Sequence, residues 1–73
     1  MKHKIKVITW RDSNIYSGQV TKSEVNVATI VSAGFVVKKS KDSVIVARDL
    51  VEPGVWRGVI AIPRENILKE TKL

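Results

Sequence analysis

The sequence predicts an all-β fold, a small antiparallel barrel of about five strands. Three observations carry that expectation. Two β-rich runs, Val25–Lys39 and Val44–Arg48, flank the polar cluster Ser40-Lys41-Asp42-Ser43. β-Branched residues dominate both runs, which suits a pleated, half-buried surface and disfavours helix. No stretch of useful length shows helical periodicity. Gly34 interrupts the longer run, where a glycine marks a bulge or a bend, and a bent strand followed by a hairpin is how a small barrel turns a corner.

The elements follow in chain order. Lys4–Trp10 alternates as a strand, with Ile5, Val7 and Thr9 on one face and Lys4, Lys6, Ile8 and Trp10 on the other. The second face passes from basic to apolar, as expected of a strand entering a core from an exposed end. Arg11–Asn14 is a turn cluster, Ile15-Tyr16 a short extended piece, and Ser17–Glu24 a polar loop with Val20 its only aliphatic residue. The bent strand Val25–Lys39 and its partner Val44–Arg48 come next. The partner is apolar on both faces, which fits a barrel better than an open sheet. Asp49–Arg57 contains Pro53-Gly54, a strong turn signal, and is expected to bulge from the rim with Trp56 in its exposed part. Gly58–Ile62 is expected to be a core strand, ended by Pro63, which cannot donate to a ladder. Pro63–Asn66 has the length of one 3₁₀ turn. Ile67–Glu70 reads as a short closing strand before a polar tail.

The chain has 73 residues, enough for one domain (1–73) near the lower limit for an unaided core. It has no cysteine, so disulfides and thiolate metal sites are excluded. His3 alone cannot make a zinc site. A domain this small and without staples gains stability by oligomerising, so a homo-oligomer is expected. No apolar run approaches the roughly 20 residues of a membrane-spanning helix, and MKHKIKVITW has no apolar signal core. The expected partner set therefore contains no membrane, and the expected location is cytoplasmic.

Thirteen Lys and Arg against seven Asp and Glu give a net charge of +6. This charge fits attraction to nucleic acid, a nucleotide or an acidic protein surface. It fits ordinary solubility equally, since small soluble domains carry about 2–8 charges.

The last third resembles the end of a Src-homology-3-like or Sm-like barrel. The shared pattern is Gly58, the apolar Val59–Ile62, Pro63, a 3₁₀ turn at Arg64–Asn66 and a final strand at Ile67–Glu70. That resemblance implies architecture and not activity. Readers of proline-rich peptides line their groove with aromatics, including one in the 3₁₀ turn, where this chain has Asn66. The acidic cluster of their first long loop is also absent. Recognition of proline-rich peptides is therefore not expected.

The chain is also similar to short proteins encoded by bacteriophages and prophages. Their pattern is an early strand ending in Trp-x-Asp, a central Ser-x-Gly-aromatic and a later Ile-Pro-basic. Here these are Trp10-Arg11-Asp12, Ser32-Ala33-Gly34-Phe35 and Ile62-Pro63-Arg64. The resemblance implies a stoichiometric inhibitor or sponge of host defence signals acting in the host cytoplasm, and specifies no ligand.

No catalytic constellation is visible. His3 lacks a carboxylate to orient it, no serine has a general base near it in sequence, and the four glycines are dispersed instead of forming a phosphate loop. The expectation is a protein that is not an enzyme, with no cofactor and no metal. Its ligand would be a nucleotide or nucleic acid, or an acidic host protein. The candidate ligand-binding residues are Trp10, Arg11, Arg48, Trp56, Arg57 and Arg64. Trp10-Arg11 and Trp56-Arg57 each set an aromatic face beside a guanidinium, although Trp10 better suits a core lid, and Trp56 equally suits an anchor in a dimer interface. Arg48 either pairs with Asp49 or Glu52 or faces a ligand. Lys4, Lys6, Lys38, Lys39 and Lys41, with Lys2, form a phosphate track if the first strand and the hairpin tip share an edge. Alternatively they guard edges against aggregation.

Overall fold

The computed structural model describes residues 3–13, 18–23 and 25–73. It contains five antiparallel strands and one 3₁₀ turn: β1 (Ile5–Asp12), β2 (Ala28–Lys39), β3 (Ser43–Glu52), β4 (Val55–Pro63), the turn Arg64–Asn66, and β5 (Ile67–Lys72). They form a single sheet in the order β4-β3-β2-β1-β5. The fold is therefore all-β, as the β-branched runs require. Among the described residues no ladder joins β4 to β5, so the sheet is not closed. Among the described residues no helix is long and apolar enough to cross a membrane.

One apolar cluster holds the sheet together. Ile8 and Trp10 of β1, Val44 and Val46 of β3, and Ile62 of β4 are buried, with Ile30, Val36 and Ile67 packed against them. All five strands contribute. In a flat sheet β4 and β5 would lie four spacings apart, roughly 19 Å at about 4.8 Å each. Their shared core requires the sheet to coil, and the three-residue 3₁₀ turn that links these two edges requires the same. Proline begins that turn at φ −62°, the Ile67 amide donates to the Arg64 carbonyl, and the Arg64 amide donates to Asp42 O at 2.9 Å. The β2–β3 loop is thereby tied to the turn, and Ser40 Oγ fastens the loop itself by accepting from the amides of Asp42 and Ser43.

β2 changes partners along its length. Ala28–Phe35 pairs with β1 and Phe35–Lys39 with β3, with an irregularity between Val36 and Lys38. Gly34 immediately precedes Phe35, the residue the two ladders share. A Cβ built on Gly34 would stand 2.5 Å from the carbonyl oxygen of Ala47, so the glycine is needed for close approach between strands.

Several boundaries differ from the sequence reading. β1 runs on to Asp12, β2 begins at Ala28 instead of Val25, and β5 continues to Lys72. The expected excursion at Asp49–Arg57 is mostly strand: β3 reaches Glu52 and β4 starts at Val55, leaving Pro53-Gly54 as the whole turn. Proline followed by a glycine at φ +81° is the type II arrangement. Gly58–Ile62 is not a core strand, because β4 is an edge; Ile62 is buried but Val59 is 52% exposed. The loop residues Gly18–Ser23 hold a turn at Lys22-Ser23 and no strand. The readings on Lys2, Asn14, Ile15-Tyr16, Ser17 and Glu24 lie outside the described residues.

Candidate functional site

The β3–β4 hairpin builds the densest arrangement of the expected side chains. Asp49 pairs across the ladder with Arg57, and Leu50 with Trp56. Between the pairs Ala47–Val59 and Asp49–Arg57, Gly58 takes φ +68° in mid-strand, a left-handed conformation that glycine tolerates without penalty. The missing side chain leaves room for Arg48. A Cβ on Gly58 would lie 2.8 Å from Arg48 Cβ, 3.3 Å from its Nε and 3.4 Å from its Cζ. Arg48 therefore lies across the glycine and reaches Asp49.

One carboxylate oxygen holds two guanidiniums. Arg48 Nε donates to Asp49 Oδ2 at 3.0 Å, and Arg57 Nε donates to the same atom at 3.1 Å. These two hydrogen bonds, Arg48 first, lower the pKa of Asp49 below the usual aspartate value. Each arginine gives its Nε to Asp49, and a guanidinium carries four further N–H donors. Both side chains are about two-thirds exposed or more. The triad carries a net charge of +1 and a fixed pair of forks.

Next in sequence to Arg57, Trp56 is half-buried on a strand and not in a loop. It reaches Phe35 of β2 and His3, which precedes β1. The ring centroids are 5.9 Å apart for His3–Trp56, 6.1 Å for His3–Phe35 and 6.0 Å for Phe35–Trp56. The two histidine contacts are edge-to-face, a favoured aromatic geometry. Two segments distant in sequence thus hold the indole.

A second cluster gathers cations of the first strand, the end of β2 and the 3₁₀ turn. Lys6 Nζ donates to Glu70 Oε1 at 2.8 Å, and Arg64 Nη1 lies 3.6 Å from Glu70 Oε2. Arg64 Nε also donates to the Ser40 carbonyl at 2.6 Å. Lys39 stands close enough to Lys6 for the second ammonium to lower its pKa. The hydrogen bond with Lys6 lowers the pKa of Glu70, and the carboxylate raises that of Lys6. Of the first-strand and hairpin lysines, Lys6 and Lys39 are the two placed near the Glu70 carboxylate. Lys4, Lys38 and Lys41 are exposed at the same end of the sheet.

The pair Trp10-Arg11 does not form a stacking site. Trp10 is 4% exposed, inside the core, and its Nε1 donates to Ser32 Oγ at 3.0 Å. Its neighbour Arg11 points to a different place, an open cleft of about 560 Å³ that it lines with Asp12, Ser13, Val27, Glu65, Asn66 and Leu68. Two of those residues are carboxylates, so the cleft does not favour an anion.

Glu70 and His3 are the members of these clusters that sequence reasoning passed over. Glu70 could have been found from the alternation that puts Lys6 on the core face, because a buried-side lysine needs a partner. Among the described residues no group of three or more His, Cys, Asp or Glu is placed to hold a metal ion. No protein-family model, curated protein or solved structure matches this chain.

Proposed function

We propose that this chain is a non-catalytic binding module of the Src-homology-3-like barrel type that captures an anionic ligand, a nucleotide or single-stranded nucleic acid. The strand order and the 3₁₀ turn between β4 and β5 support the architectural half of this reading. The functional half rests on one observation: Asp49 Oδ2 holds the Nε atoms of both Arg48 and Arg57, next in sequence to the fixed indole of Trp56. Two oriented forks suit a phosphate, because guanidinium donors match its oxygens bidentately. Trp56 supplies a surface for a base. The cluster of Lys6, Lys39 and Arg64 adds long-range attraction. Within the resemblance to phage-encoded proteins, the ligand is a host nucleotide signal and the role is its sequestration.

A second reading rests on Val51 and Val55, which flank the Pro53-Gly54 turn at 55% and 43% exposure. They give the hairpin an apolar rim for docking a protein partner. Salt separates the two readings, since counterion release weakens nucleic-acid binding steeply between roughly 50 and 200 mM salt.

The test is calorimetric titration of the parent, Arg57→Ala, Trp56→Ala and Lys41→Ala against nucleotides and short single strands. Loss of Trp56 is expected to cost about 1–3 kcal/mol of binding, and loss of Lys41 to change mainly the salt dependence. Equal affinities across the variants, or a parent that binds nothing at low salt, would sink anion capture and leave the protein-docking reading ahead.

A further inference from the structure

The two edges of the sheet are not alike. β5 carries Lys69, Glu70 and Lys72 among its six residues, and lysines on an edge discourage strand addition. β4, with sequence VWRGVIAIP, has one charged residue, and that residue, Arg57, is engaged by Asp49. Gly58 breaks the edge on the hairpin side and Pro63 ends it on the other. Between them lies Val59-Ile60-Ala61-Ile62, apolar on both faces. Val59 is 52% exposed, Ile60 38%, and Ala61 is exposed as well. An edge strand bounded by solvent alternates polar with apolar, whereas a strand apolar on both faces is one covered on both sides.

The geometry points to a two-fold homodimer in which the β4 edge of one copy pairs antiparallel with the β4 edge of a second. A second copy is the occupant because the strand is complementary to itself. About an axis at Ile60, Ile60 faces the partner's Ile60 and Val59 faces the partner's Ala61, while Arg57 falls opposite the partner's Pro63 and no like charges meet. An isologous contact of this kind uses up the β4 edge in both copies. The lysine-bearing β5 edges remain outermost, so assembly stops at two. This inference does not depend on anion capture, and its test contains no ligand.

Sedimentation velocity at micromolar concentrations should give the parent twice the chain mass. Val59→Lys should give the single-chain mass with an unchanged circular dichroism spectrum, because the residue is already half exposed. Ala61→Lys is the second edge variant, to be used if Val59→Lys does not fold. Val31→Lys, on the central strand β2 at 65% exposure, and Leu68→Lys, on β5, should both remain dimers. A monomeric parent, or an assembly larger than two, overturns the proposal. It is equally overturned if the folded edge variant stays dimeric. Dissociation by Val31→Lys would indicate packing through the sheet face, and dissociation by Leu68→Lys pairing through β5; either result is fatal to it.

Discussion

Gly34 and Ala47 meet at the point where β2 leaves β1 for β3, so closely that a Cβ on the glycine would stand 2.5 Å from the alanine carbonyl oxygen. The obstacle is main chain and cannot turn aside like a side chain. Gly34→Ala should therefore lower stability by about 1–3 kcal/mol, as over-packing does. Gly34→Val should cost more, despite the higher strand propensity of valine. Thermal melts would show this as a fall of roughly 4–8 °C per kcal/mol. An unchanged melting temperature in Gly34→Ala would mean that the strands do not approach this closely.

Trp10 and Ser32 make the next prediction. The indole is in the core and its N–H goes to Ser32 Oγ. In Ser32→Ala that donor loses its partner, and a buried unsatisfied donor costs about 1–3 kcal/mol. Denaturant titration should show a lower midpoint with an unchanged slope. A neutral result would place water at the indole nitrogen.

Gly58 is required twice over, for φ +68° and for the room that Arg48 occupies. Gly58→Ala should cost at least the roughly 1–2 kcal/mol of a left-handed non-glycine residue. It should also push Arg48 away from Asp49. In nuclear magnetic resonance titrations the Asp49 carboxyl should move back up toward the usual aspartate value. If Asp49 titrates identically in both proteins, Arg48 does not lie across the glycine.

The pair Lys6–Glu70 predicts a pH dependence. Glu70 has a pKa lowered in the folded state, so its contribution is present above its unfolded value near 4.5 and is lost as pH falls through the folded value. Lys6 has a raised pKa, so its contribution is present below 10.5 and is lost as pH rises through the folded value. The stability gap between the parent and Lys6→Met should be modest, about 0–1 kcal/mol. It should be widest between those limits and close at both ends. In the same variant the Glu70 midpoint should rise, and Lys39, freed of its neighbour, should titrate higher. A Glu70 midpoint indifferent to Lys6 would exclude the pair.

What the sequence disclosed and what it hid follow from the range of each interaction. The alternation of Ile8 and Trp10, the stop at Pro63 and the turn at Pro53-Gly54 are local signals, and each has its counterpart in the fold. The extension of β3 and β4 to the turn is obscured because Asp49, Glu52 and Arg57 break the apolar pattern; Asp49 and Arg57 satisfy one another across the ladder. Trp56 read as a loop residue for the same reason. The exposure of Val59 depends on strand order, which no run of residues specifies. The triangle of His3, Phe35 and Trp56 joins three segments far apart in sequence, and Lys6 meets Glu70 only because β5 returns to β1.

That return also sets a timetable for synthesis. Strands β1 to β4 follow one another as neighbours in a simple meander, each able to pair as soon as it leaves the ribosome. The outer edge of β1 is different, since its partner is Ile67–Lys72. Until those residues emerge, Lys6, Ile8 and Trp10 belong to an edge with no second neighbour, and Lys6 has no Glu70. A nascent chain paused before Ile67 thus presents an open template along its first strand. Until β5 pairs, that edge stays open to a wrong partner.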